Sequence, residues 1–146
     1  MATPTAFTDA QGQNDIDRNA RQYTDLDLFF GKKAVCKDIS KVTDIQAVKR
    51  SVRNLVLTNH YEKPFHPEIG SGVRGILFEP MTPLTAIILT RKIEDVIENF
   101  EPRARLIGVS ANPRLDRNEY EVTIEFFVVN MPTELVDLTL FLERLR

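Results

Sequence analysis

Phe100-Glu101-Pro102-Arg103 is the point at which a strongly amphipathic helical pattern stops and an extended pattern begins. Pro102 brings no N–H, and its ring disfavours α geometry at the residue before it, so Glu101 is expected to leave the helix in a β or polyproline conformation. On an extended backbone, residues two apart share a face, which puts Glu101 and Arg103 on one side, roughly 6.6 Å apart along the strand. An acid and a base therefore stand together on a stiff corner. Two roles fit that spacing: a local ion pair that fixes the helix exit, worth about 0–1 kcal/mol if exposed, or an outward-pointing pair completed by a partner.

Upstream of the corner, Thr82-Pro83 places a good N-cap before a proline at the first helical position, which predicts a helix over 83–100. Leu84, Ile87, Ile88, Leu89, Ile93, Val96, Ile97 and Phe100 are expected to face inward. Its last turns carry Glu94, Asp95 and Glu98 before Glu101, acids at the end where the helix dipole favours bases, so basic groups from elsewhere should meet this end.

Downstream, residues 104–111 read as a strand, 112–118 as a polar loop and 119–130 as the return strand of a hairpin. Tyr120, Val122, Ile124, Phe126 and Val128 share one parity, with Glu119, Glu121, Thr123 and Glu125 opposite. Phe127 and Val129 then make both faces apolar, so the end of that strand is expected to be covered on both sides. After Met131-Pro132, Val136, Leu138, Leu140 and Leu142 recur at period two and predict a third strand. A terminal strand at the edge of a small sheet is a template for adding a strand from another chain. The fold class expected is α+β, a small mixed or antiparallel sheet with helices packed on it.

Towards the N-terminus, Thr43 with Gln46 resembles a capping box, and Ile45, Val48, Val52, Leu55 and Val56 fall on one face of a helix over 43–58. Lys49, Arg50 and Arg53 lie away from that stripe, on a face expected to be solvated. Residues 59–72 form a loop whose backbone is specified in detail: Pro64 and Pro67 fix φ, Gly70 and Gly72 permit positive φ, and Phe65 sits between the prolines. Residues 25–30 alternate polar and apolar and predict a short half-buried strand. Ala34-Val35-Cys36 follows as a second extended piece, and residues 1–24 are too polar to bury surface of their own. The expected organisation is an N-terminal arm, 1–24, and one domain, 25–146.

The 146 residues carry 19 Lys and Arg against 21 Asp and Glu. That balance argues against a phosphate backbone as main partner, which requires a basic face. Arg103, Arg105, Arg114 and Arg117 are the residues that could cluster near the hairpin to make one. The lone Cys36 excludes an internal disulfide and is expected in the core. The first residues lack the basic and apolar regions of a signal peptide, and no apolar run approaches the roughly 20 residues of a spanning helix.

No catalytic constellation stands out. His60, Glu62, His66 and Glu68 match neither a helical His-Glu-x-x-His site nor a Cys/His knuckle, so no metal or other cofactor is expected. Gly70-x-Gly72-x-x-Gly75 follows Pro-Glu-Ile rather than a strand, which removes the dinucleotide reading. A glycosidase needs two carboxylates across one cleft, one with a raised pKa. Glu62, Glu68, Glu79 and Glu101 are candidates, but no motif ties any of them to a sugar cleft, and the chain has no Trp for sugar stacking.

Four motifs in order carry a resemblance over residues 25–146: Lys49-Arg50-Ser51-Val52-Arg53-Asn54-Leu55, Glu62-Lys63-Pro64-Phe65-x-Pro67-x-x-Gly70-Ser71-Gly72, Leu77-Phe78-Glu79, and Glu101-Pro102-Arg103 after an Ile/Val-rich helix. Together they resemble the lysozyme-like baseplate wedge family of contractile-tailed phages, whose members act as tail-sheath initiators and are related to a type VI secretion baseplate component. The closing Leu142-Glu143-Arg144-Leu145-Arg146 is similar to forms in large T-even-like phages. The resemblance implies a structural, non-enzymatic protein of the virion tail baseplate, assembled in the host cytoplasm. Its implied partners are the wedge core, engaged through Glu101, Pro102 and Arg103, and the tail sheath subunit, with tail tube or hub proteins as further neighbours. The family's sheet resembles the sheath subunit's strand-exchange domain, so strand sharing along Val136, Leu138, Leu140 and Leu142 is implied. Neither nucleic acid nor membrane is an implied partner. A peptidoglycan-degrading tail lysozyme is the alternative.

Overall fold

The computed structural model describes residues 23–29, 31 and 38–145. Residues 1–22 of the arm expected over 1–24, and the core placement expected of Cys36, lie outside the described residues. Two short strands, β1 (Thr24–Leu26) and β2 (Lys41–Thr43), pair antiparallel. Helix α1 (Asp44–Leu57) follows directly, then the loop, the single turn α2 (Val73–Ile76) and the long helix α3 (Pro83–Phe100). The chain closes with a meander of β3 (Ala104–Arg114), β4 (Glu119–Val128) and β5 (Met131–Glu143), antiparallel in that spatial order. The architecture is α+β, as the periodicities predict.

The core lies between the helices and one face of the meander. Tyr120, Val122, Ile124 and Phe126 of β4 stand opposite Leu142, Leu140, Leu138 and Val136 of β5, and all eight are buried. Val48, Val52 and Val56 of α1 and Leu89, Ile93 and Ile97 of α3 close the core from the helical side. Burying one such side chain stabilises the fold by roughly 1.5–3 kcal/mol, so this layer dominates the energetics.

Four expectations are corrected. Leu84, Ile87 and Ile88 face outward, at 66%, 53% and 38% exposure; Thr85 and Ala86 face inward instead, while Leu89 is buried as expected. The Thr82 cap itself forms, its side chain accepting from the Thr85 amide at 3.1 Å. Thr43 makes no side-chain cap on α1, because it is the last residue of β2 and pairs with Thr24; Asp44 turns the chain with φ 52°, and its amide donates to Tyr23 O. The strand expected over 25–30 stops at Leu26, and Leu28 and Phe29 are exposed.

The end of β4 is the fourth place that differs from expectation. Ile107, Val129 and Leu135 are each 52% exposed on the sheet's helix-free side, beside half-buried Phe127. Register shifts between Leu106 and Gly108 and between Phe127 and Val128 kink the sheet here. The expected second cover does not come from the described residues.

Candidate functional site

The corner is built by backbone first. The Glu101 amide still donates to Ile97 O at 2.9 Å, so it closes α3, but its φ of −125° and ψ of 76° have already left the helix. The Ala104 amide donates back to Glu101 O at 3.1 Å, and the Val129 amide to Arg103 O at 3.0 Å, which ties the turn to the end of β4. The proline therefore sits in a turn held at both ends.

On this frame the two side chains do share a side, but they meet each other. Arg103 donates from Nε to Glu101 Oε1 at 2.7 Å and from Nη2 to Oε2 at 3.1 Å, a two-point pairing that matches a planar guanidinium to a carboxylate. Ser51 of α1 donates a hydrogen bond to the same Oε2. The other edge of Arg103 reaches Asp25 of β1, with Nη1 3.1 Å from Oδ2, and its guanidinium lies 5.6 Å from the Tyr23 ring centroid. Glu101 is only 4% exposed. Burial pushes its carboxyl upward, but the hydrogen bonds from Arg103 and Ser51 and the guanidinium's charge outweigh it and hold the group below the ordinary range. The hydrogen bond to Glu101 is likewise the main reason that Arg103 is held above its usual value.

The local ion pair is thus present, and it joins four elements: β1, α1, the end of α3 and the start of β3. The basic group that meets the acidic end of α3 is Arg103 itself. Pro102 remains exposed and Arg103 partly so. Sequence reasoning missed three contributors: Ser51, Asp25 and Tyr23. Ser51 alone left a signal, a hydroxyl in the middle of a helix and within a motif.

The loop after α1 is braced as its prolines and glycines predict, though not glycine by glycine. The Tyr61 amide donates to Pro67 O at 3.0 Å and the Ser71 amide to Thr58 O at 2.9 Å; Ser71 Oγ donates to Val56 O at 2.6 Å. Glu62 accepts from both the amide and the side chain of Asn59, and the backbone hydrogen bond leads in holding its carboxyl low. Gly72 takes φ 61° as expected. Gly70 is needed for a different reason: a Cβ there would lie 2.5 Å from the backbone of Asn59 and His60. The loop's other left-handed residues are Tyr61, φ 68°, and Phe65, φ 67°. Both are almost fully exposed, at 86% and 97%.

Loop and corner share a groove of about 670 Å³, lined among others by Ser51, Glu62, Pro64, Ile69, Phe100 and Glu101. Two of the four glycosidase candidates thus line one groove, and both carboxyls are shifted downward. A general acid needs the opposite shift. Glu68 pairs with His66 Nδ1 at 3.1 Å, and Glu79 is exposed elsewhere.

The four arginines do not form a basic patch. Arg103 and Arg105 stand at one end of the hairpin and Arg114 and Arg117 at the other, roughly 30 Å away along β3. Arg114 is paired with Glu121 at 2.6 Å, and Arg117 approaches Glu119 at 3.8 Å. On α1, Arg50 leaves the expected solvated face to pair with Asp27 and stack 5.4 Å from the Phe29 ring centroid.

Val136, Leu138, Leu140 and Leu142 all face the core at 5–7% exposure. Their strand is an outer strand of the three-stranded sheet among the described residues, and what an edge strand offers is its backbone rather than these side chains.

Residues 42–133 match the family model described as baseplate wedge protein gp25. The baseplate wedge protein gp25 of Enterobacteria phage T4 is 35% identical over 118 residues, 81% of this chain and 89% of that protein. The fold is shared with two solved structures. One is a Geobacter sulfurreducens protein provisionally described as a tail lysozyme, with TM-score 0.62 and 22% identity over 68% of this chain and 89% of that one. The other is a chain of the anti-feeding prophage baseplate, with TM-score 0.61 and 20% identity over 87% of this chain and 90% of that one.

Proposed function

The chain belongs to the gp25 family of baseplate wedge proteins, and from that premise we propose that it templates the first ring of tail sheath through the backbone edge of β5. The observation that carries this reading is the 13-residue β5 at the edge of a sheet whose inner face is already filled. A sheath strand laid along it would gain register from main-chain hydrogen bonds without disturbing Val136, Leu138, Leu140 or Leu142.

The corner anchors the same protein to the wedge core. Exposed Pro102 and the open side of Arg103 form the contact, while Glu101 stays behind them and holds the guanidinium in place. Pro64, Phe65, Pro67, Gly70 and Gly72 shape the neighbouring loop that lies along the shared groove. Tail tube or hub proteins would be further neighbours, and assembly takes place in the host cytoplasm.

We read the protein as non-enzymatic. The downward shifts of Glu62 and Glu101 support that reading over cell-wall hydrolysis, because neither group would hold a proton to donate near neutral pH. Turnover of purified cell walls that is abolished by Glu62→Gln or Glu101→Gln would reverse it.

Electron cryo-microscopy of the assembled tail tests the main proposal. The expected map shows a sheath strand paired with β5 and wedge core protein against Pro102 and Arg103. A map in which β5 and the corner both face solvent rejects it.

A further inference from the structure

We propose that Tyr61 and Phe65 are a pair of anchor residues by which the loop docks into an apolar pocket on a neighbouring protein subunit; this rests on the baseplate reading above. Both rings stand in solvent and give the fold almost no packing. Both occupy left-handed backbone positions that cost a residue with a Cβ and suit Gly or Asn better. An aromatic at such a position works against the stability of the isolated chain, and strain of this kind marks a site whose use lies elsewhere.

The loop is also stiff. Its base is locked by Ser71 to Thr58 and Val56, its tip is closed by the Tyr61 amide on Pro67, and Asn59 is clamped by Glu62. Gly70 admits the strand of backbone opposite at a distance no side chain would allow. Rigid aromatic side chains lose little conformational freedom on binding, which is why they dominate protein interfaces. Phe65 requires a pocket of aliphatic, Met or aromatic side chains; Tyr61 requires the same with a polar group for its hydroxyl.

A bilayer is the poorer fit. Glu62 and Glu68 flank the rings, with Lys63 as the loop's only fixed positive charge, and anionic headgroups repel that balance. A protein pocket with mixed charge at its rim accommodates it.

The test uses the full chain supplied during infection to a phage lacking its gene. Purified tails are assayed for copies of the chain by quantitative mass spectrometry, and purified variants for melting temperature. Phe65→Asn suits the left-handed backbone, so its melting temperature should equal or exceed that of the wild type while its copies per tail fall at least about tenfold. Phe65→Tyr should restore incorporation. Wild-type incorporation by Phe65→Asn overturns the proposal, as does a marked drop in its melting temperature, which would make the ring a structural element. Binding of the wild type to phosphatidylcholine–phosphatidylglycerol vesicles that is lost in Phe65→Asn replaces the protein pocket with a membrane. Absence of the wild-type chain from tails would instead remove the baseplate reading on which the proposal rests.

Discussion

The corner at Glu101 and the loop over residues 59–72 are both rigid turns next to the same groove, and they use that rigidity in opposite ways. At the corner, a buried carboxylate is paired with a partly exposed guanidinium, with Pro102 exposed between them. In the loop, polar groups do the bracing while two aromatic rings are held out in water. A motif's rigidity therefore says little about what it presents. One turn stabilises the fold; the other is stabilised by the fold.

The comparison breaks most visibly at Arg103. Arg103→Ala strands a buried carboxylate and should lower the unfolding free energy by about 3–5 kcal/mol in denaturant titration. Arg103→Lys should recover only part of this, because one ammonium cannot span both Glu101 oxygens and Asp25. A loss below about 1 kcal/mol would place the pair with exposed ion pairs and erase the contrast.

A smaller effect is expected on the loop side at its point of closest approach. Gly70→Ala forces Asn59 and His60 backbone to move and should cost about 1–3 kcal/mol in the same titration. Gly75→Ala, where the added Cβ meets nothing within 4 Å, is its control and should leave the fold intact.

Acid sharpens the contrast further. Glu101 has its folded-state pKa below the ordinary value of 4.5, so its stabilising contribution is present above that value and is lost as pH falls through the lower, folded pKa. Stability should therefore decline below about pH 4.5, and Glu101→Gln, less stable at neutral pH, should lose part of that slope. Glu62 shifts the same way but is fully exposed, so Glu62→Gln should change the acid limb far less. Equal changes in the two variants would mean that burial at the corner is not what distinguishes them. The smallest effect belongs to the other strained ring: Tyr61→Asn should raise stability by no more than about 1 kcal/mol, read as a small upward shift in melting temperature.

Much of this arrangement was legible in the residues. The β meander announced itself because its inner positions alternate without interruption from Tyr120 to Val128 and again from Val136 to Leu142, and period two has few other meanings over that length. The long helix was framed by Thr82-Pro83 and Pro102, local signals with local causes. Its facing was harder to read. With Leu84, Ile87, Ile88 and Leu89 all apolar, hydrophobicity cannot choose a side, and the inward side holds Thr85, whose hydroxyl donates to Pro80 O at 2.9 Å. The loop's stiffness was readable from Pro and Gly, but the left-handed positions at Tyr61 and Phe65 were not, since no propensity places an aromatic there. At the corner, the spacing of Glu101 and Arg103 gave their common side. Their inward direction depended on Ser51 and Asp25, which lie 50 and 78 residues away from the groups they touch.

The meander has a kinetic corollary. Each of its strands hydrogen-bonds to the strand next to it in the chain, β3 to β4 and β4 to β5, so the sheet can zip up through short-range closures and form early. The clasp between Asp25 and Arg103 closes a span of 78 residues and has to wait for that sheet and the helix before it. Such a chain would complete its sheet and helices first, with β1 as the last described piece to latch.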